Sequence, residues 1–417
     1  MPIRQETAKS HFSIANKSFD NAWRLQRYDS TKPTIQKIFT DQWSDFLKDP
    51  QVAHNGFRDV TLKEVQKMMD CGTFECGFEI YECLACHTTS VVCYTCKSRF
   101  CSSCGVRYAK ERALGISANA LDVPYRHLVF TIDEELREYF LRDREMLHLL
   151  FSAVKDTLFY VFDKINGKKD TFTPGIIMVL HTFGRALNWN PHIHCLITEG
   201  GMNSKHIYKN INFINYESLR KSFMRTLLYK MRDSYDVNSR EYKNFKKLIS
   251  KLYREHKKGF YVYAPPLENR KGKDAIINYI LRYTGRPVMA QSRIIHYNKD
   301  KKTIKYYYED HKTNERIEVE EHVFLFMKKL LLHIPEQQFK MIRYYGIYAT
   351  CNHSHKEKMR VLLPRLGKAK ERVYYRGDLI ETFGVDPFLC TCGHYMEFID
   401  YYVPSSKGGD KNGPIYS

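Results

Sequence analysis

The chain has 417 residues, a formal net charge of +19 and a sequence pI near 9.2. Hydrophobic residues make up 43% and charged residues 27%, an ordinary globular balance that excludes a largely disordered chain. The length fits two or three domains better than one core. No apolar run is long enough to span a membrane, and this much positive charge points to a polyanionic partner, nucleic acid before an anionic membrane surface.

The first thirty residues are polar and charged and hold no apolar leader segment, so a secretion signal is not expected. Thr31-Lys32-Pro33 offers a capping threonine and a first-turn proline for a helix running to about residue 48, with Ile35, Ile38, Phe39, Trp43 and Phe46 at helical spacing. Thr61-Leu62-Lys63-Glu64 reads as a capping box for a short helix towards Cys71.

Eight of the 12 cysteines follow between Cys71 and Cys104. Three pairs stand at C-x-x-C spacing: Cys83/Cys86, Cys93/Cys96 and Cys101/Cys104, with Cys71/Cys76 just upstream. Two thiolates on one tight turn reach one Zn²⁺, and two such turns complete a tetrahedral site. A disulfide scaffold is the competing reading, but it belongs to short secreted domains. The cysteines therefore predict zinc and a reducing cytoplasm, with the positive charge adding an expected nucleoid association. A basic stretch over 107–112 follows the module.

From about residue 125 the texture changes. Residues 127–131 form a short β-branched and aromatic run, and 133–163 reads as one long amphipathic helix. Strands are expected at 175–182 and 192–198, charged helices at 217–233 and 240–255, and a helix from Asp274 stopping at Thr284-Gly285-Arg286-Pro287. A hairpin pairs 293–297 with 303–308, 323–333 is helical, and the Ser/Gly/Lys-rich tail from 405 is expected to be disordered. Mixed elements without strict βαβ alternation indicate an α+β fold with an antiparallel sheet.

Two spacings carry chemistry. In Pro191-His192-Ile193-His194-Cys195-Leu196-Ile197-Thr198, strand alternation puts Ile193, Cys195 and Ile197 on one face and His192 and His194 on the other, half of a divalent-metal site. With 17 histidines, roughly one H-x-H arises by chance. His353-Ser354-His355 is a second instance, in a polar stretch with no alternation to hold the rings. Tyr279 and Tyr283 stand four apart on one helix face, beside the apolar side formed by Ile276, Ile277, Ile280 and Leu281. Among 30 tyrosines that spacing is also met by two partly buried core residues.

Taken together these segments resemble the two-tyrosine rolling-circle transposases of the insertion-sequence 91 family, which are HUH endonucleases (named for histidine-hydrophobic-histidine) with an N-terminal zinc-binding domain. The resemblance runs in order through Ser98-Arg99-Phe100-Cys101, Tyr125-Arg126-His127-Leu128-Val129-Phe130, Leu180-His181-Thr182-Phe183-Gly184 and Asn190-Pro191-His192-Ile193-His194. It continues through Gly200-Gly201, Tyr279-Ile280-Leu281-Arg282-Tyr283, Ser292-Arg293-Ile294, Leu331-Leu332-His333 and Ile342-Arg343-Tyr344-Tyr345-Gly346. Members of that family carry histidines where this chain has Glu79 and Phe100, with Cys76 and Cys93 close by. We therefore expect one zinc on Cys83, Cys86, Cys101 and Cys104 and a second on Cys71, Cys76, Cys93 and Cys96. Cys390-Thr391-Cys392-Gly393-His394 resembles a reduced zinc knuckle that Cys351, His353 and His355 would complete; ordinary surface residues are the alternative.

The resemblance implies three regions. Residues 1–115 form a helical, Cys-rich DNA-binding domain, 120–335 an HUH endonuclease domain with helices flanking its sheet, and 336–417 a C-terminal extension. It also implies cleavage and joining of single-stranded DNA at element ends, Tyr279 acting first and Tyr283 second through a 5′-phosphotyrosine. Mg²⁺ or Mn²⁺ would sit on His192 and His194, with His181 as the third ligand. Arg107, Arg112, Arg282 and Arg286 are candidate phosphate contacts. A plasmid replication initiator or relaxase of the same chemistry is the nearest alternative. A non-catalytic zinc regulator that binds nucleic acid is the other, and it leaves the His-Ile-His strand and the tyrosines without a role.

Overall fold

The structure is a computed structural model that describes residues 23–24, 33–53, 56–121, 123–166, 171–203, 205, 207–210, 215–264, 288–310, 313–349, 386 and 388–404. A two-residue strand, β1 (Trp23–Arg24), precedes helix α1 (Ile35–Lys48). Helix α1 buries Ile35, Ile38, Phe39 and Phe46 along one side, as the spacing predicts. Its cap is Thr34, whose side chain accepts from the Lys37 amide, so Pro33 stands ahead of the helix; Thr31 lies outside the described residues. The short α2 (Pro50–Ala53) leads to α3 (Asp59–Asp70). The expected capping box does not form there. Thr61 is buried inside α3 and Glu64 accepts from the Ser98 hydroxyl instead of a cap amide.

The hairpin of β2 (Phe78–Glu82) and β3 (Thr89–Cys93) comes next, then α4 (Ser102–Asn119), which carries the basic stretch. Strand β4 (Tyr125–Thr131) follows. The single long helix expected over 133–163 is two, α5 (Glu134–Arg142) and α6 (Met146–Asn166). Asp143 separates them: its backbone is extended and its carboxylate accepts from the Glu145 amide, a local bond that competes with helix continuation.

Strands β5 (Gly175–Phe183) and β6 (Trp189–Thr198) pair antiparallel, followed by the small ribbon of β7 (Gly200–Met202) and β8 (Tyr208–Asn210). Helices α7 (Tyr216–Asp233) and α8 (Arg240–Glu255) precede β9 (Val262–Tyr263). The expected hairpin of β10 (Ile294–Asn298) and β11 (Thr303–Glu309) gains a third strand, β12 (Arg316–His322). That strand is charged and largely exposed, so it carries no apolar signal. Helix α9 (Val323–Leu331) and strands β13 (Ile342–Gly346) and β14 (Glu397–Tyr402) complete the described elements.

The fold is α+β, as the pattern predicts. Its main sheet has the order β13–β5–β6–β4–β9, with every pair antiparallel. One face carries Leu128, Phe130, Met178, Leu180, Ile193, Cys195 and Ile197, packed under α5 to α8 by residues such as Phe140, Leu150, Val154, Phe223 and Phe245. Gly346 at the end of β13 has φ +61, and a Cβ there would collide with the Pro174 carbonyl, so the close approach of β13 to β5 requires glycine.

A second core mixes distant segments. Ile38, Phe39, Phe46, Val65 and Met68 of the N-terminal helices pack with Ile304, Tyr306, Phe326, Met327 and Leu330 of the β10–β12 sheet and α9. The described part of 288–334 thus shares its core with the N-terminal helices rather than with the main sheet. Strand β14 likewise joins the N-terminal sheet, whose order is β1–β3–β2–β14.

Candidate functional site

The face of the main sheet opposite the large core carries the histidines. Register places His181 directly across from His192, and Val179 across from His194. Alternation then turns His181, His192 and His194 to the same side, while Ile193, Cys195 and Ile197 are fully buried on the other. One nitrogen from each of the three imidazoles lies within 4.8 Å of the others. His192 Nε2 stands 3.1 Å from His194 Nε2.

The remaining nitrogens are held from behind. His192 Nδ1 donates to the Asn190 carbonyl at 2.8 Å, which leaves Nε2 with its lone pair facing its neighbours. His194 Nδ1 lies 3.2 Å from His127 Nε2 across β4 and β6. Such outer contacts fix ring orientation and tautomer in metal sites. Burial holds His192 and His194 well below the ordinary imidazole range and pulls His127 down to about 3. Neutral rings are the ligand form. The donor set fits a divalent ion: metal–ligand bonds of about 2.1 Å put neighbouring corners of a six-coordinate shell about 3.0 Å apart, close to the His192–His194 spacing.

Two of the expected helpers are now placed. Arg107 pairs with Glu111 at 3.0 Å on its own helix, whereas Arg112 is exposed and its guanidinium lies 5.2 Å from the Tyr108 ring centroid. Helix α4, which carries both, packs Ala113 and Ile116 against Ile177 and Leu196, on the histidine side of the sheet. Tyr279, Tyr283, Arg282 and Arg286 lie outside the described residues, as do Cys351, His353 and His355. His333 is a structural histidine: its two nitrogens meet Thr182 Oγ1 and the Leu187 carbonyl, each at 3.1 Å.

The cysteines regroup. The first foursome is Cys71, Cys96, Cys101 and Cys104, and the second is Cys83, Cys86, Cys390 and Cys392. Cys76 and Cys93 belong to neither, so both expected ligand sets are corrected. The β2–β3 hairpin is what separates Cys83 and Cys86 from Cys101 and Cys104. Its five-residue strands span roughly 16 Å, placing Cys83 and Cys86 at the turn and Cys71, Cys96, Cys101 and Cys104 at the base. The expected C-terminal knuckle is corrected in the same way, because Cys390 and Cys392 complete a set begun by Cys83 and Cys86.

In the first foursome the Cys71–Cys104 and Cys96–Cys104 sulfurs lie 3.6 Å apart and the Cys71–Cys101 sulfurs 3.7 Å apart. A disulfide needs about 2.05 Å; a tetrahedron of Zn–S bonds near 2.3 Å gives about 3.8 Å. The Cys96 amide donates to Cys71 Sγ and the Ser98 amide to Cys96 Sγ, at 3.3 and 3.4 Å. Cys101 and Cys104 sit at the N-terminal end of α4, where helix amides favour thiolates. The positions that depart from the family pattern do other work. Glu79 accepts from the Tyr94 hydroxyl at 3.2 Å, and Phe100 packs edge-on against Phe39.

Residues 38–132 match a family model described as "Transposase zinc-binding domain", and residues 175–356 match one described as "Putative transposase". Over 387 residues the chain is 30% identical to the "Transposase for insertion sequence element IS801" of Pseudomonas savastanoi pv. phaseolicola, covering 88% of this chain and 90% of that protein. The chain belongs to the insertion-sequence 91 family of transposases. A second relative of this transposase is "Putative transposase y4qJ" of Sinorhizobium fredii (strain NBRC 101917 / NGR234), 23% identical over 296 residues that cover 66% of this chain and 71% of that protein. No solved structure matches. The transposase is thus an enzyme that acts on DNA and carries a zinc-binding domain, and among its described residues no helix is long and apolar enough to cross a membrane.

Two contributors to these sites escaped the sequence reading. His127 lay in a run read as a β-branched and aromatic segment and quoted for its resemblance, without a role for its ring. The alternation Tyr125, His127, Val129, Thr131 was the signal that it shares a face with the other histidines once β4 pairs with β6. The joining of Cys390 and Cys392 to Cys83 and Cys86 had no local signal at all.

Proposed function

We propose that this transposase nicks and rejoins single-stranded DNA at element ends, in rolling-circle fashion, through a 5′-phosphotyrosine on Tyr279. The observation that supports this reading is the set of three imidazoles, His181, His192 and His194, converging from β5 and β6. A bound divalent ion would supply Lewis-acid polarisation of the scissile phosphate. Mg²⁺ and Mn²⁺ remain the two expected ions, since three imidazoles would leave coordination positions for the phosphate and water oxygens that both prefer.

The chain's own groups do the rest. Asn190 and His127 hold the ring orientations of His192 and His194. The Tyr279 hydroxyl gives up its proton as its oxygen attacks phosphorus, the P–O3′ bond breaks, and the leaving oxygen takes up a proton to become a free 3′-hydroxyl, so the net proton count is unchanged. The phosphodiester energy stays in the Tyr279–phosphate bond, so rejoining needs no nucleotide cofactor. Tyr283 would open a second strand while the first end remains attached. Binding rests on charge, with Arg112, Arg282 and Arg286 as phosphate contacts and Arg107 held by Glu111.

The test is nicking of a single-stranded element end with and without Mn²⁺. His192→Ala and His194→Ala should each abolish cleavage and leave DNA retention largely intact, while His353→Ala leaves cleavage unchanged. Equal loss in His192→Ala and His353→Ala would mean that the β6 pair is not the metal site.

A further inference from the structure

Outside both matched regions the chain still carries a paired cysteine motif, Cys390-Thr391-Cys392, and the fold brings it to the hairpin turn of β2 and β3. Cys83 Sγ lies 3.4 Å from Cys392 Sγ, and Cys86 Sγ 3.4 Å from Cys390 Sγ, across 309 and 304 residues of sequence. All four sulfurs fall within 4.8 Å of one another. We propose that these four thiols hold a zinc ion of their own, which ties the C-terminal strand β14 to the N-terminal hairpin.

The two halves are built alike. The His87 amide closes the first turn on the Cys83 carbonyl at 2.7 Å, and the Gly393 amide closes the second on the Cys390 carbonyl at 2.9 Å. The residue after the second cysteine of each half is left-handed, His87 at φ 59 and Gly393 at φ 88. Lys97, which follows Cys96 in the first foursome, has φ 53. A histidine or lysine adopts that region at a cost, and here the same geometry recurs behind a sulfur each time. Sulfurs at 3.4 Å are too far apart for a disulfide and near the spacing of a tetrahedral Cys₄ site.

Strand β14 needs such a tie. It pairs with β2 from Glu397↔Glu82 to Tyr402↔Phe78, but most of its residues are exposed. Glu397 faces Glu82 across the ladder, a like-charge pair that weakens it. The ring contacts of this arm include Tyr81 with Phe388 and Phe398 and Phe78 with Tyr402. An edge strand with so little burial gains most from a fixed anchor five to seven residues ahead of it. Cys390 and Cys392 stand in that position, and the ion makes docking of the C-terminal arm conditional on metal.

The experiment uses the full chain purified without chelator, with zinc measured by elemental analysis and cysteines mapped by alkylation and mass spectrometry. The unaltered chain should hold two zinc ions, and Cys390→Ser combined with Cys392→Ser should hold one. In the unaltered chain Cys83, Cys86, Cys390 and Cys392 should resist alkylation until zinc is chelated, then react together. Should the double variant fail to fold, this protection pattern decides alone. Two zinc ions retained in the double variant, one in the unaltered chain, ready alkylation of Cys390 and Cys392 before chelation, or disulfides linking the two halves would each overturn the proposal.

Discussion

His127→Ala removes the ring against His194 Nδ1 and leaves every nitrogen that faces the cluster in place. With Nε2 of His194 turned to His192 at 3.1 Å, its Nδ1–H donates to His127 Nε2 at 3.2 Å. Burial pulls His127 down to about 3, so the ring is a neutral acceptor throughout the neutral range. Loss of an outer anchor of this kind lowers metal affinity about 10- to 100-fold, or about 1.4–2.8 kcal/mol. The His192 anchor is the main-chain carbonyl of Asn190 and survives the substitution, which keeps the expected loss well short of abolition. The assay is Mn²⁺ binding by calorimetry, paired with nicking rate as a function of Mn²⁺ concentration. The binding midpoint should move up by that factor and the nicking rate should recover at saturating metal. An unchanged midpoint, or a rate that no metal concentration restores, would refute the positioning role.

The ion pair of Arg126 and Glu199 has both side chains 4% exposed and an N–O distance of 2.7 Å. Arg126→Met should cost about 3–5 kcal/mol in urea unfolding, and adding Glu199→Leu should recover most of it; equal losses in the single and double variants would contradict this. Burial pulls His333 down to about 4, so below about pH 6.5 the unfolded chain takes a proton that the folded chain refuses. Its contribution is whole above pH 6.5 and falls by about 1.4 kcal/mol per pH unit towards 4; His333→Gln should flatten that part of the curve, and an unchanged slope in metal-free protein would count against it. Cys101→Ser, in a sulfur cluster packed into the second core, should lower zinc by one ion per chain and open residues 35–71 to proteolysis; full zinc content in a protease-resistant variant would contradict the first foursome.

Much of the fold was legible because it is local. The alternation of 192–198 and the helical spacing of 35–46 each set one face against a core, and both elements form as their periods require. The break at Asp143 and the strand over Arg316–His322 were not legible, since one depends on a single side chain–amide bond and the other has no apolar face. The zinc ligands divide along the same line. Cysteine spacing identifies a zinc module, but which thiols meet depends on the length of the β2–β3 hairpin and on β14 returning to it from 300 residues away. For the histidines, strand register supplied what spacing lacked, bringing His181 and His127 to a pair that chance alone could have produced.

The central claim concerns Tyr279, and covalent capture tests it most directly. The transposase would be incubated with a 3′-labelled single-stranded element end and Mn²⁺, resolved on a denaturing gel, and digested to map the nucleotide-bearing peptide by mass spectrometry. A phosphodiester adduct on Tyr279 is predicted, absent in Tyr279→Phe and in His192→Ala, with Tyr283→Phe keeping first-strand attachment but failing to complete strand transfer. An adduct that persists undiminished when both tyrosines are replaced by phenylalanine would contradict the account.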